Sequence, residues 1–118
     1  MRNLVIHRER ALAAFALTYY IHLNRDRDQH LQALQQMADP RLEARGDYGL
    51  KNGQTVKIPI GEEGTRFFVG IYTQEKNHVS LQVPVEPGKE DVYFQIVTDF
   101  DGNKRLSFRI EAANAPND

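Results

Sequence analysis

From Tyr48 onward, apolar and polar residues alternate in short runs separated by turn-forming residues. Alternation with a period of two predicts β-strands with one buried face. The runs recur about every ten to thirteen residues, which is typical of an antiparallel sandwich or barrel. The predicted strands are 54–60, 66–73, 79–85, 92–98 and 104–111.

The same alternation predicts which side chains point into the core. One residue in two along each predicted strand is aliphatic or aromatic, and these rows would line the interior of a sandwich. The predicted inward residues are Val56, Ile58, Ile60, Phe67, Val69, Ile71, Val79, Leu81, Val83, Val85, Val92, Phe94, Ile96, Leu106, Phe108 and Ile110.

The first part of the chain adds two strand predictions. Residues 3–8 form a short apolar run, and 15–24 alternate between apolar and mixed positions. A helix over 9–18 is the rival interpretation of the second run, because that stretch is rich in alanine and leucine. The alternating residues are Phe15, Leu17, Tyr19, Ile21 and Leu23.

Residues 25–46 read as an insertion with one α-helix at about 28–38. Leucines recur there at helical spacing, and Asp26 or Asp28 can cap the helix start. Pro40 disfavours helical geometry at the residue before it. We therefore predict one mostly-β domain over 1–111, with seven or eight strands and a single inserted helix, followed by a flexible tail at 112–118.

Glycine and proline give further predictions about the turns and edges. Asn52-Gly53 is a strong signal for a two-residue hairpin, because both residues accept positive φ. Pro59 and Pro84 cannot donate to a strand ladder, so each favours an edge strand or a bulge.

The segment Gly49-Leu50-Lys51-Asn52-Gly53-Gln54-Thr55, with the strands before and after it, resembles small bacterial β-sandwich domains of the PEGA or carboxypeptidase-regulatory-like kind. In those domains a turn of leucine, any residue, asparagine or aspartate, and glycine precedes a strand. The resemblance covers about 3–24 and 48–73. The chain departs from the pattern by its insertion at 25–46 and by Gly64-Thr65 where Gly-His is usual. The resemblance implies a non-enzymatic accessory or interaction module and no catalytic residues.

Composition narrows the classes of partner. The chain has 118 residues, a formal net charge of -1 and no cysteine. Nucleic-acid binders usually carry a basic excess, so we expect no nucleic-acid partner. The apolar run at 11–17 is too short to cross a bilayer, so we expect no membrane span. These features predict a cytoplasmic protein, with a secreted one still open.

The stretch TDFDGNK, residues 98–104, has the spacing of the first calcium ligands of an EF-hand. Counted from Asp99, however, the glycine comes too early and Ile110 stands where the distal glutamate belongs. We interpret the stretch as a hairpin turn. The four histidines show no metal-site spacing, and no nucleophile or phosphate-binding motif is present. We therefore expect no metal, no cofactor and no catalytic residue.

The polar faces of the predicted strands carry aromatic and basic side chains that suit an interface. We predict a non-enzymatic interaction module, binding a protein partner or itself through an outer sheet face or an exposed edge. The alternatives are a small-molecule or carbohydrate-binding sandwich and an enzyme using histidine and carboxylates. A further possibility is that the inserted helix covers some of these residues. The predicted binding surface consists of Tyr20, His22, Phe68, Tyr72, Tyr93 and Arg109.

Overall fold

The computed structural model of the protein describes residues 1–12, 14, 16–36, 47–73, 77–100 and 106–114. These residues form a mostly-β sandwich with one helix, as the sequence predicts. The described strands number nine, because a short strand precedes Asn52 and one predicted strand is divided in two. The elements are β1 (Arg2–Arg8), β2 (Tyr19–Leu23), α1 (Arg27–Gln36), β3 (Tyr48–Leu50), β4 (Thr55–Ile60), β5 (Thr65–Tyr72), β6 (Asn77–Val79), β7 (Val83–Val85), β8 (Val92–Phe100) and β9 (Leu106–Ala113).

The strands pair in two sheets. Sheet A has the order β4-β1-β8-β9, and sheet B has the order β3-β2-β5-β6, with β7 also paired to β5. All described pairs are antiparallel except β1 with β8, which run parallel. The predicted antiparallel sandwich is therefore confirmed at every described pair but this one. The parallel pair arises because the chain crosses to the other sheet and returns before it forms β8.

The inner faces of both sheets enclose one apolar core. Most of the predicted inward residues either lie in this core or pack against it, so the sidedness read from the alternation is confirmed for them. The strands before residue 54 contribute Leu4, Ile6, Tyr19, Ile21 and Leu50. The hydroxyl of Tyr19 shares a hydrogen bond of 2.6 Å with that of Thr98, which links the two sheets through the core.

Two buried arginines lie at the ends of the inward row of β1, which reads Arg2, Leu4, Ile6, Arg8. Arg2 donates to the carbonyl oxygens of Gly61, Glu63 and Glu86. These acceptors lie where the chain crosses from β4 to β5 and from β7 to β8. Arg2 therefore fastens both crossings at one end of the sandwich.

Arg8 does the same at the other end. Its guanidinium donates to the carbonyls of Ala14, Leu17 and Leu50, at 2.6–2.8 Å. The guanidinium carbon also lies 3.5 Å from the ring centre of Tyr19. Because these acceptors belong to the crossings from β1 to β2 and from β3 to β4, the two arginines together bind all four crossings between the sheets.

These contacts explain why the predicted strand over 15–24 is too long. The observed strand begins at Tyr19. Before it, Ala14 has a φ of 60° and its carbonyl also accepts from the amide of Leu17. The segment turns around the Arg8 guanidinium and does not extend the sheet. No helix occurs among the described residues of 9–18, and Ala13 and Phe15 lie outside the described residues.

The predicted hairpin at Asn52-Gly53 is wrong. Gly53 has the expected positive φ of 76°, and the amide of Gln54 donates to the carbonyl of Lys51, so a tight turn is present. The strands on its two sides belong to different sheets, however. The Asn52 side chain accepts from the amide of Ala11, which holds the turn against the first crossing.

The predicted strand 79–85 is interrupted at Ser80–Gln82, and Leu81 is 78% exposed where an inward residue was expected. The physical reason is the helix. Arg27 donates to the carbonyl of Ser80, and the Gln82 side chain accepts from the Arg27 amide and donates to the Arg25 carbonyl. These bonds tie the segment to the start of α1, while the amide of Ser80 still donates to the carbonyl of Val69 on β5.

The inserted helix is confirmed at Arg27–Gln36, close to its predicted range, and Asp26 caps it by accepting from the amide of Gln29 at 3.0 Å. The predicted end near Pro40 lies outside the described residues. Among the described residues there is no helix that is both long and apolar enough to span a bilayer.

Candidate interaction site

The structure places the six predicted surface residues on two outer faces. Tyr20, His22, Phe68 and Tyr72 project from the outer face of sheet B, since their neighbours Tyr19, Ile21, Phe67 and Ile71 are in the core. Tyr93 and Arg109 project from the outer face of sheet A, on the opposite side of the sandwich. The six residues therefore do not form one surface.

The outer face of sheet B is largely covered by α1. His22 and Phe68 are both 0% exposed, and their rings stack at 4.7 Å. From the helix, His30 packs on both of them and Leu34 is also buried. The alternative that the helix shields some of the predicted residues is confirmed for this pair. They support the helix and are closed to a large partner.

A hydrogen-bonded group of His22, Tyr72 and His30 lies at this helix–sheet contact. The Tyr72 hydroxyl oxygen is 2.8 Å from Nε2 of His22 and 2.7 Å from Nε2 of His30. A hydroxyl has one proton, so it donates to one imidazole and accepts an N–H from the other. One of the two Nε2 atoms therefore bears a proton and the other does not, and the group fixes the helix to β2 and β5.

Burial disfavours the charged forms of His22 and Tyr72, as the direction of each pKa shows. Desolvation, with the nearby His30 and Arg25 adding to it and Asp47 opposing it, lowers the pKa of His22 to about 4. Desolvation also raises the pKa of the Tyr72 phenol above its ordinary value. Nδ1 of His22 is buried without a hydrogen-bond partner, which adds to the cost of a charge there. A largely buried, hydrogen-bonded group of this kind suits a structural role.

A cleft of about 380 Å³ opens beside the start of α1. Its lining includes Arg25, Asp26, His30 and Arg66. The Asp26 carboxylate is already used, because one oxygen caps the helix and the other lies 3.8 Å from Arg66. His30 is 6% exposed and turns Nε2 toward Tyr72. The cleft thus combines cationic side chains with a histidine whose ring is mostly shielded.

The outer face of sheet A carries the other two predicted residues. Tyr93 is half-buried beside Val5, and Arg109 is exposed. Arg109 forms ion pairs with Asp99 and Glu111 on the same face. These contacts raise the pKa of Arg109 and lower that of Glu111, so both stay charged over the ordinary pH range. Asp99, the first ligand of the rejected calcium loop, is thus paired with an arginine.

β9 forms one of the two edges of sheet A, and β4 forms the other. β9 has eight residues and pairs with β8 over its whole length, from Phe100↔Leu106 to Tyr93↔Ala113. The hairpin predicted at 98–104 is confirmed by this pairing, although residues 101–105 lie outside the described residues. No described strand pairs with the other side of β9.

The hydrogen-bond pattern tells which backbone groups of β9 face that open side. The amide of Glu9 donates to the carbonyl of Ile96, so even-numbered residues of β8 point their backbone groups toward β1. Odd-numbered residues of β8 then point toward β9, where they meet odd-numbered partners. The even-numbered residues of β9 therefore direct their N–H and C=O groups away from the sheet; these are Leu106, Phe108, Ile110 and Ala112.

The other described edges are obstructed. By the same reasoning from the Arg8-to-Gln54 bond, Thr55, Lys57 and Pro59 face the free side of β4, and Pro59 lacks an N–H. β3 is only three residues long, and the edge formed by β6 and β7 is interrupted and contains Pro84. The edge positions predicted for both prolines are confirmed. Short strands and proline are common protections against edge pairing, and β9 has neither; its charged residues, Arg109 and Glu111, are paired with each other.

Sequence reasoning missed His30 and the two arginines of β1. Helical spacing gave no reason to place His30 against His22, since the two lie on different elements. The arginines did leave a signal, because Arg2 and Arg8 share the parity of Leu4 and Ile6. That parity already implies burial at both ends of the inward row.

Among the described residues, no group of three or more histidine, aspartate and glutamate side chains is placed to hold a metal ion. Comparison with protein-family models, with curated proteins and with solved structures gives no match. The resemblance to PEGA or carboxypeptidase-regulatory-like domains therefore stays a prediction.

Proposed function

We propose that the protein is a non-enzymatic interaction module whose working surface is the free edge of β9, and that it associates with a second copy of itself there. The observation that carries the proposal is the contrast between edges. β9 offers a continuous ladder of outward N–H and C=O groups, while β3, β4 and the β6–β7 edge are short, interrupted or contain proline. An unprotected edge is a ready template for another strand.

The side chains of β9 support the same proposal. Leu106, Phe108 and Ile110 pack against the core yet remain only partly buried, because no described strand lies beyond them. A strand added at this edge would cover part of their remaining surface. Each new backbone hydrogen bond would contribute about 1 kcal/mol, and the covered apolar area would add about 25 cal/mol per Å².

A proline at Ala112 tests the proposal. Ala112 is exposed and its N–H faces the free side, so Ala112→Pro removes an outward donor without removing a bond to β8. Ala112→Ser is the matched control, since it keeps the N–H. We expect light scattering over a concentration series to show dimers for the natural chain and the serine variant. The dimer dissociation constant of the proline variant should rise at least about tenfold. A natural chain that stays monomeric at millimolar concentration would refute the proposal.

Binding of a small molecule is the second candidate, favoured by the cleft beside α1. Arg25, Arg66 and His30 line it, so a small anionic compound or a sugar acid is the chemistry that would fit. A thermal-shift screen of sugars and small carboxylates tests this, with Arg66→Ala as the variant that should lose any shift. Because the cleft also contains Asp26, a histidine–carboxylate enzyme remains the further alternative. The ion pair and cap that occupy Asp26 weigh against it.

A further inference from the structure

We infer that two copies of the chain pair their β9 strands antiparallel in one register, with Ile110 of each copy on the twofold axis. This inference rests on the proposed function, and it adds the identity of the partner strand and the residues that meet. It follows from three properties of β9: the direction of its backbone groups, the extent of the strand and the order of its charges.

The backbone groups restrict the possible registers. Only even-numbered residues of β9 face the free side, so even-numbered residues of one copy must oppose even-numbered residues of the other. In an antiparallel pair this allows registers centred on any one residue, such as 109, 110 or 111. Pairing centred on Ile110 places Phe108 opposite Ala112 and pairs residues 107–113 of β9 with each other, while Leu106 lies opposite Asn114, just beyond the strand.

Charge selects among these registers. Directly opposed residues have the closest side chains, so opposite charges stabilise such a pair and like charges destabilise it. A register centred on residue 109 puts Arg109 opposite Arg109 of the other copy, and one centred on 111 opposes two Glu111 side chains. The register centred on Ile110 puts Arg109 opposite Glu111 twice. The register centred on Ile110 overlaps residues 107–113 of β9, as long a stretch as the register centred on 109 offers, and it alone of the two has complementary charge.

The apolar side chains on the inward face of β9 are compatible with the register centred on Ile110. Opposed residues in a sheet project to the same face, so the half-buried inward side chains of both copies would lie on one side of a continuous eight-stranded sheet. Ile110 would contact its own copy at the axis, and Phe108 would lie beside the small Ala112. A large side chain thus meets a small one across the junction, which suits close packing.

Cysteine cross-linking tests the register, because the natural chain has no cysteine. In this register Ser107 opposes Ala113, and opposed residues at such positions have Cα atoms about 4.5 Å apart, within reach of a disulfide. The Cα atoms of residue 107 in the two copies of a dimer would instead be about 20 Å apart. A mixture of Ser107→Cys and Ala113→Cys chains should form a covalent heterodimer under mild oxidation. Each variant alone, which is the matched control, should remain uncross-linked.

Charge exchange gives a second measurement that does not depend on oxidation. Arg109→Glu chains and Glu111→Arg chains should each dimerise at least about tenfold more weakly than the natural chain, because each creates two like-charged pairs. Mixing the two variants restores both opposite-charge pairs and should restore dimers.

The outcomes separate the two proposals. A natural chain that dimerises while Ser107→Cys cross-links to itself would overturn the register and leave self-association at β9 standing. If the natural chain and the Ala112→Pro variant dimerise equally well, both the register and self-association at β9 are overturned.

Discussion

The ring of Tyr72 lies directly over Gly70, two residues earlier on β5. A Cβ at position 70 would be 2.1 Å from the Tyr72 hydroxyl oxygen and 2.3 Å from the ring carbon that bears it. Only glycine leaves room for this ring, and the ring carries the hydroxyl that joins His22 to His30. Gly70 is therefore a requirement of the contact between α1 and sheet B.

Replacing Gly70 with alanine should push the Tyr72 ring away and break its hydrogen bonds to both histidines. We expect Gly70→Ala to lower the free energy of unfolding by about 2–3 kcal/mol, measured by urea denaturation. Gly61→Ala is the matched control, because a Cβ there meets nothing closer than 3.9 Å. In a Tyr72→Ser background the alanine should cost less than about 1 kcal/mol, since the clash is gone. Equal costs in both backgrounds would contradict the steric explanation.

Stability should fall in mild acid because of His22. Its pKa is about 4 in the folded protein against an ordinary 6.5, so the unfolded chain binds the proton more readily. The stabilisation is complete above pH 6.5 and is lost as the pH falls toward 4. Charged or titratable groups that face the ring are His30, Tyr72, Arg25 and Asp47.

Between pH 7.5 and pH 5, the titration of His22 should lower the free energy of unfolding by about 2 kcal/mol. Denaturation series at several pH values should show a shallower pH dependence for His22→Leu than for the natural chain. His7→Gln is the control, because His7 lies on the outer face of sheet A, where it bonds the Thr55 hydroxyl. A His22→Leu protein with an unchanged pH dependence would show that other groups carry the effect.

Removing Arg8 should be among the most damaging single substitutions. Its burial lowers the pKa of the guanidinium, an effect that the neighbouring Tyr19 opposes, and three backbone carbonyls depend on it as donor. We expect Arg8→Met to cost about 3 kcal/mol or more, since buried carbonyls would lose their partners. Arg66→Ala, which breaks only an exposed ion pair, should cost less than about 1 kcal/mol. Similar unfolding midpoints for the two variants would disprove the role given to Arg8.

The two acidic residues at the start of α1 should contribute unequally to the stability of the fold. Asp26 accepts the Gln29 amide at the helix N-terminus, while Asp28 is exposed and pairs only with its neighbour Arg27 among the described contacts. Asp26→Ala should lower stability by about 1 kcal/mol, and Asp28→Ala by a few tenths. Circular dichroism during thermal unfolding measures both, and the reverse order would contradict the assignment of the cap.

Strand alternation predicted the inward rows because the period of a strand is a local property of the backbone. Ile58, Val69 and Ile96 occupy the core as their parity requires. The same reasoning failed at Leu81, where the neighbouring Ser80 and Gln82 bind the start of the helix. The local pattern could not reveal these contacts with the helix, since Arg27 lies more than fifty residues away from Ser80 and Gln82 in the chain.

The sequence by itself determined that the chain forms strands with one apolar face, that a short helix follows the second strand, and that Pro59 and Pro84 lie on edge strands. Only the tertiary structure decided which sheet each strand joins. That choice separated Tyr93 and Arg109 from His22 and Phe68, and it left β9 without an outer neighbour among the described strands. The physical reason is that parity fixes the side of a strand on which a residue lies, whereas the neighbours of a strand depend on where the chain crosses between sheets, and here buried arginines hold those crossings.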